Sequence, residues 1–115
     1  MTGVRSRVTT HVLDAVSGRP ATGVTAQLAR RTEQGWQAVA EGRTDTDGRI
    51  ADFGPADLPP GVYRVVFDTG AYFGASGVTA FYPEVAISFT LDDAAAHYHV
   101  PLLLSPYAFS TYRGS

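Results

Sequence analysis

The feature that most constrains this chain is a series of short segments in which apolar and polar residues alternate, separated by glycine, proline and aspartate. Alternation with a period of two is typical of β-strands that bury one face, and the separating residue types favour turns. Eight segments fit this pattern: residues 7–13, 24–32, 36–43, 49–53, 62–67, 85–91, 98–104 and 107–115. Many short strands with frequent turns indicate an all-β chain folded as a two-sheet β-sandwich of about eight strands.

One stretch, residues 69–79, does not read as a strand. We expect a short helix there, with Thr69 as its N-cap and with Tyr72 and Phe73 packing against the core. The chain has 115 residues, which is enough for one domain over residues 1–115 with a thin hydrophobic core.

Composition excludes several kinds of site and partner. The chain has no cysteine, so disulfides, thiolate metal sites and a cysteine nucleophile are excluded. The formal net charge is -2, so no overall basic field would attract nucleic acid or an acidic membrane. No apolar run approaches the ~18 residues of a membrane span, and no amino-terminal stretch resembles a signal peptide. We therefore expect a cytoplasmic protein with neither a nucleic-acid nor a membrane partner.

All three histidines fall on the outer faces of two predicted strands. Side chains alternate between faces along a strand. In residues 7–13 the β-branched face is the better core candidate, so His11 should point away from the core. His99, with His97 on the same side, lies opposite the apolar face of residues 98–104. The predicted core faces of these two strands consist of Val8, Thr10, Val12, Tyr98, Val100, Leu102 and Leu104.

Taken alone, these residues leave several interpretations open. His97 and His99 are spaced as a metal pair could be, although no carboxylate stands in ligand spacing beside them. Arg49 directly follows Asp-Gly and would ordinarily be a solvated strand start, and Ser115 would ordinarily be a frayed terminus. Neither a phosphate-binding glycine loop nor a Gly-x-Ser-x-Gly motif is present. We expect no metal and no other cofactor.

Several blocks of the sequence resemble the 5-hydroxyisourate hydrolases, the transthyretin-like enzymes of urate breakdown. The resemblance runs through nearly the whole chain in order, and its blocks are residues 10–14, 17–21, 44–49, 81–85, 97–106 and 107–115. The terminal Tyr-Arg-Gly-Ser, residues 112–115, is the most specific of these because the hormone-carrier transthyretins lack it.

The resemblance implies a transthyretin-like (prealbumin-like) sandwich and hydrolysis of 5-hydroxyisourate to 2-oxo-4-hydroxy-4-carboxy-5-ureidoimidazoline in urate (purine) catabolism. It also implies a homotetramer, a dimer of dimers, with two pockets in a channel where dimers meet. The implied catalytic residues are His11, Arg49, His99, Tyr112 and Ser115. The implied substrate-binding residues are His11, Arg49, Tyr112, Arg113 and Gly114.

In this interpretation the two imidazoles of His11 and His99 share the acid and base tasks, and the sequence does not say which ring does which. The guanidinium of Arg49 suits substrate oxygens and the charge that develops on carbonyl attack. A role for His97 stays open. The main alternative is a transthyretin-like carrier without enzymatic activity, and a second is a plain sandwich module of a larger assembly, since a fold alone does not fix a function.

Overall fold

A computed structural model describes residues 6–92 and 96–114, and Ser115 lies outside that range. The described part contains nine strands and one short helix. The strands are β1 (Val8–Asp14), β2 (Arg19–Pro20), β3 (Thr25–Thr32), β4 (Gly35–Arg43), β5 (Arg49–Ile50), β6 (Gly61–Phe67), β7 (Val85–Leu91), β8 (Tyr98–Leu104) and β9 (Phe109–Thr111), and the helix α1 (Thr69–Ala75) lies between β6 and β7.

The strands form two sheets. The first sheet has the order β2-β1-β8-β9, and the short β5 also pairs with β1. The second sheet has the order β4-β3-β6-β7. Strands β1 and β8 pair in parallel, whereas the other pairings among the described strands are antiparallel. The expected two-sheet β-sandwich is confirmed.

The core lies between the inner faces of the two sheets, and the predicted alternation decides which side chains enter it. On β1 and β8 all seven residues of the predicted core faces are buried. His11 and His99 are half-buried on the opposite faces, as expected. The largest fully buried side chains come from both sheets and from the loop after β5, and they are Tyr63, Phe53, Phe67, Leu28, Leu91, Leu102 and Leu104.

The predicted helix is present but shorter than residues 69–79, and its predicted cap is wrong. The N-cap is Asp68, whose carboxylate accepts a hydrogen bond from the Ala71 amide at 3.2 Å. Thr69 is buried instead, and its hydroxyl donates to the Tyr82 carbonyl at 3.1 Å. Asp is as good a cap as Thr, and the pattern alone could not place the boundary to one residue. Phe73 packs into the core as predicted.

The last predicted strand, residues 107–115, is reduced to β9. The Ser105 amide donates to the Ala108 carbonyl at 2.9 Å, which closes a tight corner and keeps Tyr107 out of the strand. Beyond β9 the chain returns to β8 through a single bridge between Gly114 and His99. Likewise the predicted strand 49–53 ends at Ile50.

The connection from β1 to β3 contains a strand that the alternation did not predict. This is the two-residue strand β2, in which Arg19 pairs with Asp14 and Pro20 with Leu13. Within residues 6–92 and 96–114, no helix has the length and apolar character needed to cross a membrane.

Candidate active site

A pocket of about 190 Å³ opens where β1, β5 and β8 come together in the first sheet. Its lining combines a guanidinium, two imidazoles and two threonines with a few small or apolar groups. The lining residues are Thr9, Thr10, Arg49, Ile50, Ala51, His97 and His99. Two of the predicted site residues, Arg49 and His99, therefore meet at one cavity.

Strand register explains why residues far apart in sequence meet here. The antiparallel pairing of β1 with β5 sets His11 directly opposite Arg49. The parallel pairing of β1 with β8 sets Thr9 opposite His99. Residues opposite each other in a sheet share a face. Since His11 and Thr9 are two apart on β1, all four side chains lie on the same outer face.

The loop before β5 is built to hold Arg49 in place. One carboxylate oxygen of Asp45 accepts hydrogen bonds from the amides of Asp47 at 2.9 Å and Arg49 at 3.0 Å. The bond from the Arg49 amide is the main reason that the pKa of the exposed Asp45 lies below its ordinary value. The Asp45 amide in turn donates to the Arg49 carbonyl at 3.0 Å. Arg49 is thus fixed through its backbone while its guanidinium stays exposed.

Gly48 is required in this loop for two reasons. Its φ of 75° is in the left-handed region, which side chains rarely tolerate. A Cβ at this position would also collide with the carbonyl oxygen of Val12. The close approach allows the Val12 amide to donate to the Gly48 carbonyl at 2.7 Å, which ties the loop to β1. The Asp-Gly before Arg49 is therefore part of the site's framework and more than a solvated strand start.

His99 is held by a hydrogen bond that the sequence did not predict. Its Nδ1 lies 2.8 Å from Oγ1 of Thr9, and the same hydroxyl lies 2.9 Å from Nε2 of His97. The remaining ring nitrogen of His97 lies 3.1 Å from the Ser6 carbonyl oxygen. The sequence could have indicated Thr9 as a site residue, because period-two alternation along β1 puts it on the same face as His11.

The electrostatic environment favours the neutral form of His99. Burial, first, and then the positive charge of Arg49 hold the pKa of His99 below its ordinary value, and any positive charge on His11 or His97 acts in the same direction. At neutral pH its imidazole is uncharged and can accept a proton. His11 does not line the pocket, but the strand register sets it opposite Arg49 and two residues along β1 from Thr9, the residue opposite His99.

The carboxyl-terminal residues lie beside His99. The Gly114 amide donates to the His99 carbonyl at 2.9 Å. The Arg113 guanidinium stacks over the Tyr98 ring at 4.5 Å. Tyr112 is 61% exposed. Both Tyr112 and Arg113 line a second pocket of about 260 Å³, which His99 shares with the first. The predicted role of Ser115 falls outside the described residues.

The spacing of His97 and His99 had left a metal pair open. In the described part of the chain, no group of three or more histidine, aspartate or glutamate side chains is arranged to hold a metal ion. Both histidines instead share the Thr9 hydroxyl.

Comparison with known proteins places the chain in a family. Residues 8–114 match the model described as the HIUase/Transthyretin family. The chain belongs to this family. Among curated relatives, the 5-hydroxyisourate hydrolase of Salmonella dublin is 46% identical over 106 residues, which cover 91% of this chain and 78% of the relative.

Solved structures from two branches of the family resemble the fold closely. The 5-hydroxyisourate hydrolase of Klebsiella pneumoniae is 40% identical with a TM-score of 0.84, and the match covers 94% of this chain and 98% of that one. Sea bream transthyretin in complex with thyroxine is 36% identical with a TM-score of 0.89, and the match covers 94% of each chain. Since both resemble this fold so closely, backbone similarity does not separate an enzyme from a carrier, and the site has to do so.

The charge of Arg49 should be measurable at His99. Replacing the arginine by glutamine removes a positive charge that disfavours imidazolium, so we expect the pKa of His99 in Arg49→Gln to rise. It should stay below the ordinary histidine value, because burial is the larger cause and is unchanged. An NMR pH titration of the His99 ring measures the shift. Arg31→Gln, an equivalent change in the second sheet, should leave that titration unaltered, and an unchanged or lower pKa in Arg49→Gln would contradict the arrangement.

Proposed function

We propose that this protein hydrolyses 5-hydroxyisourate to 2-oxo-4-hydroxy-4-carboxy-5-ureidoimidazoline, in urate catabolism. The observation that carries the proposal is a single pocket bordered by an always-charged guanidinium, Arg49, and an imidazole kept neutral, His99. Hydrolysis of a ring amide needs a base for water and a cation for the developing oxyanion, and this pair offers both. The relatives named as 5-hydroxyisourate hydrolases support the same choice.

In the proposed reaction the neutral His99 takes a proton from a water molecule as its oxygen adds to the amide carbonyl carbon of the six-membered ring. Arg49 binds the carbonyl oxygen and stabilises its negative charge, for which a planar fork of donors is suited. The ring C–N bond then breaks, and the departing nitrogen receives a proton from an imidazolium. The lowered pKa of His99 favours it as the base and leaves His11 to orient the water or substrate.

The carboxyl-terminal residues receive supporting roles in this proposal. Tyr112 is exposed beside His99, so its hydroxyl can reach a bound molecule. Arg113 stacks on Tyr98, which favours anchoring of the terminus over direct contact with substrate. Gly114 holds the backbone of His99. Ser115 keeps its predicted place among the catalytic residues.

The alternative of a carrier without enzymatic activity is less well supported. The sea bream transthyretin bound to thyroxine has the same fold, so the fold permits such a role. A carrier of apolar aromatic ligands has no need of a guanidinium and two imidazoles at one small pocket. A plain interaction module would need none of these groups either.

We propose that four copies assemble as a dimer of dimers, with the outer face of the first sheet at a seam. Large apolar side chains are exposed along the edge strand β9 and in the loops beside it, including Tyr107 at 68%, Phe81 at 67% and Phe109 at 42%. Tyr82 stacks edge-on between Phe81 and Phe109, which gathers them into one patch. A contiguous aromatic patch is typical of an interface. One domain over residues 1–115 and a cytoplasmic location remain predictions.

The assay that tests the function uses freshly generated 5-hydroxyisourate, whose decay is followed by absorbance. The wild-type protein should accelerate the decay over buffer. His99→Ala should lower kcat by about 100- to 10,000-fold, the usual range for a general base, and Arg49→Gln by about 100- to 1,000-fold, as for loss of an oxyanion partner. Arg31→Gln serves as the control for loss of an exposed arginine and should keep the wild-type rate. Decay no faster than in buffer would reject the enzyme and favour the carrier.

The terminus can be tested at Gly114. An added Cβ would lie 2.5 Å from Cδ2 of His99, so the ring or the terminus must move. Gly114→Ala should therefore reduce kcat by roughly 10- to 100-fold, as small misplacements of catalytic groups do. Gly74→Ala is the matched control, because a Cβ there meets nothing within 4 Å. If both variants hydrolyse the substrate at the wild-type rate, the terminus does not position His99.

The assembly is tested by size-exclusion chromatography with light scattering. The expected mass is about four times that of the 12.2-kDa chain. Phe81→Asp places a charge in the aromatic patch and should shift the mass toward smaller species. A monomeric wild-type protein at micromolar concentration would refute the tetramer.

A further inference from the structure

Two residues at the pocket, Thr9 and His97, have no part in the reaction described above. They nevertheless form a continuous chain of hydrogen bonds that starts at the Ser6 carbonyl and ends at the ring of His99. Ser6 is itself buried and fixed, because its hydroxyl donates to the Gly54 carbonyl at 2.9 Å and accepts from the Phe53 amide at 2.8 Å. The chain therefore begins at a rigid point of the fold.

With His97 neutral, the direction of each hydrogen bond follows from that first carbonyl. A carbonyl oxygen only accepts, so Nδ1 of His97 carries the proton and donates to it. In neutral His97 the other nitrogen, Nε2, is then an acceptor, and the Thr9 hydroxyl donates to it. The single hydroxyl proton of Thr9 is thereby used. Its oxygen can only accept from His99, whose Nδ1 must be the protonated nitrogen.

We propose that Thr9 and His97 are positioning residues that hold His99 in the tautomer with a proton on Nδ1 and a bare lone pair on Nε2. This inference rests on the proposed function, since it names the atom of His99 that acts as the base. The Thr9 hydroxyl contacts Nδ1 of His99, which leaves Nε2 as the ring nitrogen that this hydroxyl does not occupy.

The tautomer matters because only an unprotonated nitrogen can take a proton from water. With the proton on Nε2 instead, the same ring in the same place would donate to the water and could not act as a base. A neighbour that fixes the tautomer is a recurrent requirement for catalytic histidines, and the wrong tautomer lowers the rate severely even where the geometry is intact. Gly114 also restrains the ring of His99, because the ring packs where the Cβ of any other residue at position 114 would lie.

The test uses two substitutions at one position. Thr9→Val has nearly the shape of threonine but lacks the hydroxyl, so it breaks the chain between the rings. Thr9→Ser retains the hydroxyl. We expect Thr9→Val to lower kcat by about 10- to 100-fold, the usual cost of losing a group that orients a functional histidine. Its KM should change less than threefold. Thr9→Ser should keep most of the wild-type kcat. Thr25→Val, the same change in the second sheet, should have no effect.

Activity alone would not distinguish positioning from general damage, so the tautomer is measured directly. In ¹⁵N-histidine-labelled protein, long-range ¹H–¹⁵N correlation spectra report which ring nitrogen carries the proton, and a His11→Gln variant helps to assign the signals. Wild-type His99 should show a protonated Nδ1 and a bare Nε2 at neutral pH. In Thr9→Val the proton should move in part or wholly to Nε2. His97→Phe removes the acceptor for the hydroxyl at the other end and should produce the same change.

The outcomes separate this proposal from the proposed function. A wild-type protein without hydrolase activity rejects the function, whereas the spectra still test the hydrogen-bond chain. A wild-type His99 protonated on Nε2 overturns the proposal, and so does a Thr9→Val variant that keeps the wild-type kcat. If circular dichroism shows that Thr9→Val does not fold, His97→Phe breaks the chain from the other ring, and Thr9→Ser remains the variant that keeps it.

Discussion

The parallel pairing of β1 with β8 is the contact on which the rest of the structure depends. Its register runs from Val8 opposite Tyr98 to Asp14 opposite Leu104. One face of the pair supplies buried core residues from both strands, and the other face carries the site. Because side chains alternate with a period of two, a slip of one residue would move His99 into the core and a valine to the surface. The hydrophobic core and the site therefore specify the same register.

The other site residues are added to this pair by short, rigid connections. Arg49 reaches the face of His11 through a loop whose Asp45 carboxylate and Gly48 backbone leave few alternatives. Gly114 reaches His99 after a corner that shortens the last strand. Both connections use glycine where a neighbouring strand leaves no room for a Cβ, at the Val12 carbonyl for Gly48 and at the His99 ring for Gly114. The site is thus assembled from four segments, none of which could hold it alone.

The sequence predicted most of the fold and part of the site. The difference between the features that it predicted and those that it did not has a physical basis. Alternation identified the core faces of β1 and β8 because burial dictates residue type there. It could not find the exact N-cap, since Asp68 and Thr69 are both good caps, nor foresee that the corner at Ser105 would shorten β9. Arg49 and Gly114 depended on resemblance, because no periodic pattern marks them. Thr9 was not predicted as a site residue, because threonine is common on strands. Its contacts with two imidazoles arise only from the register of β1 with β8.

The fold alone would serve a carrier as well as an enzyme, so the chemical character of this chain has to come from a few polar contacts on one face. An arginine and three histidines close together would repel one another if all were charged, and the fold limits this by burying His99 enough to keep it neutral. Neutrality by itself leaves two tautomers, one a proton acceptor at Nε2 and one a donor. A directed chain that starts at a fixed backbone carbonyl selects between them without adding any charge to the pocket. A carboxylate in place of Thr9 would also fix the ring, but it would raise the pKa of His99 and oppose the effect of Arg49. A neutral hydroxyl between two imidazoles meets both requirements, which is a physical reason for threonine at this position.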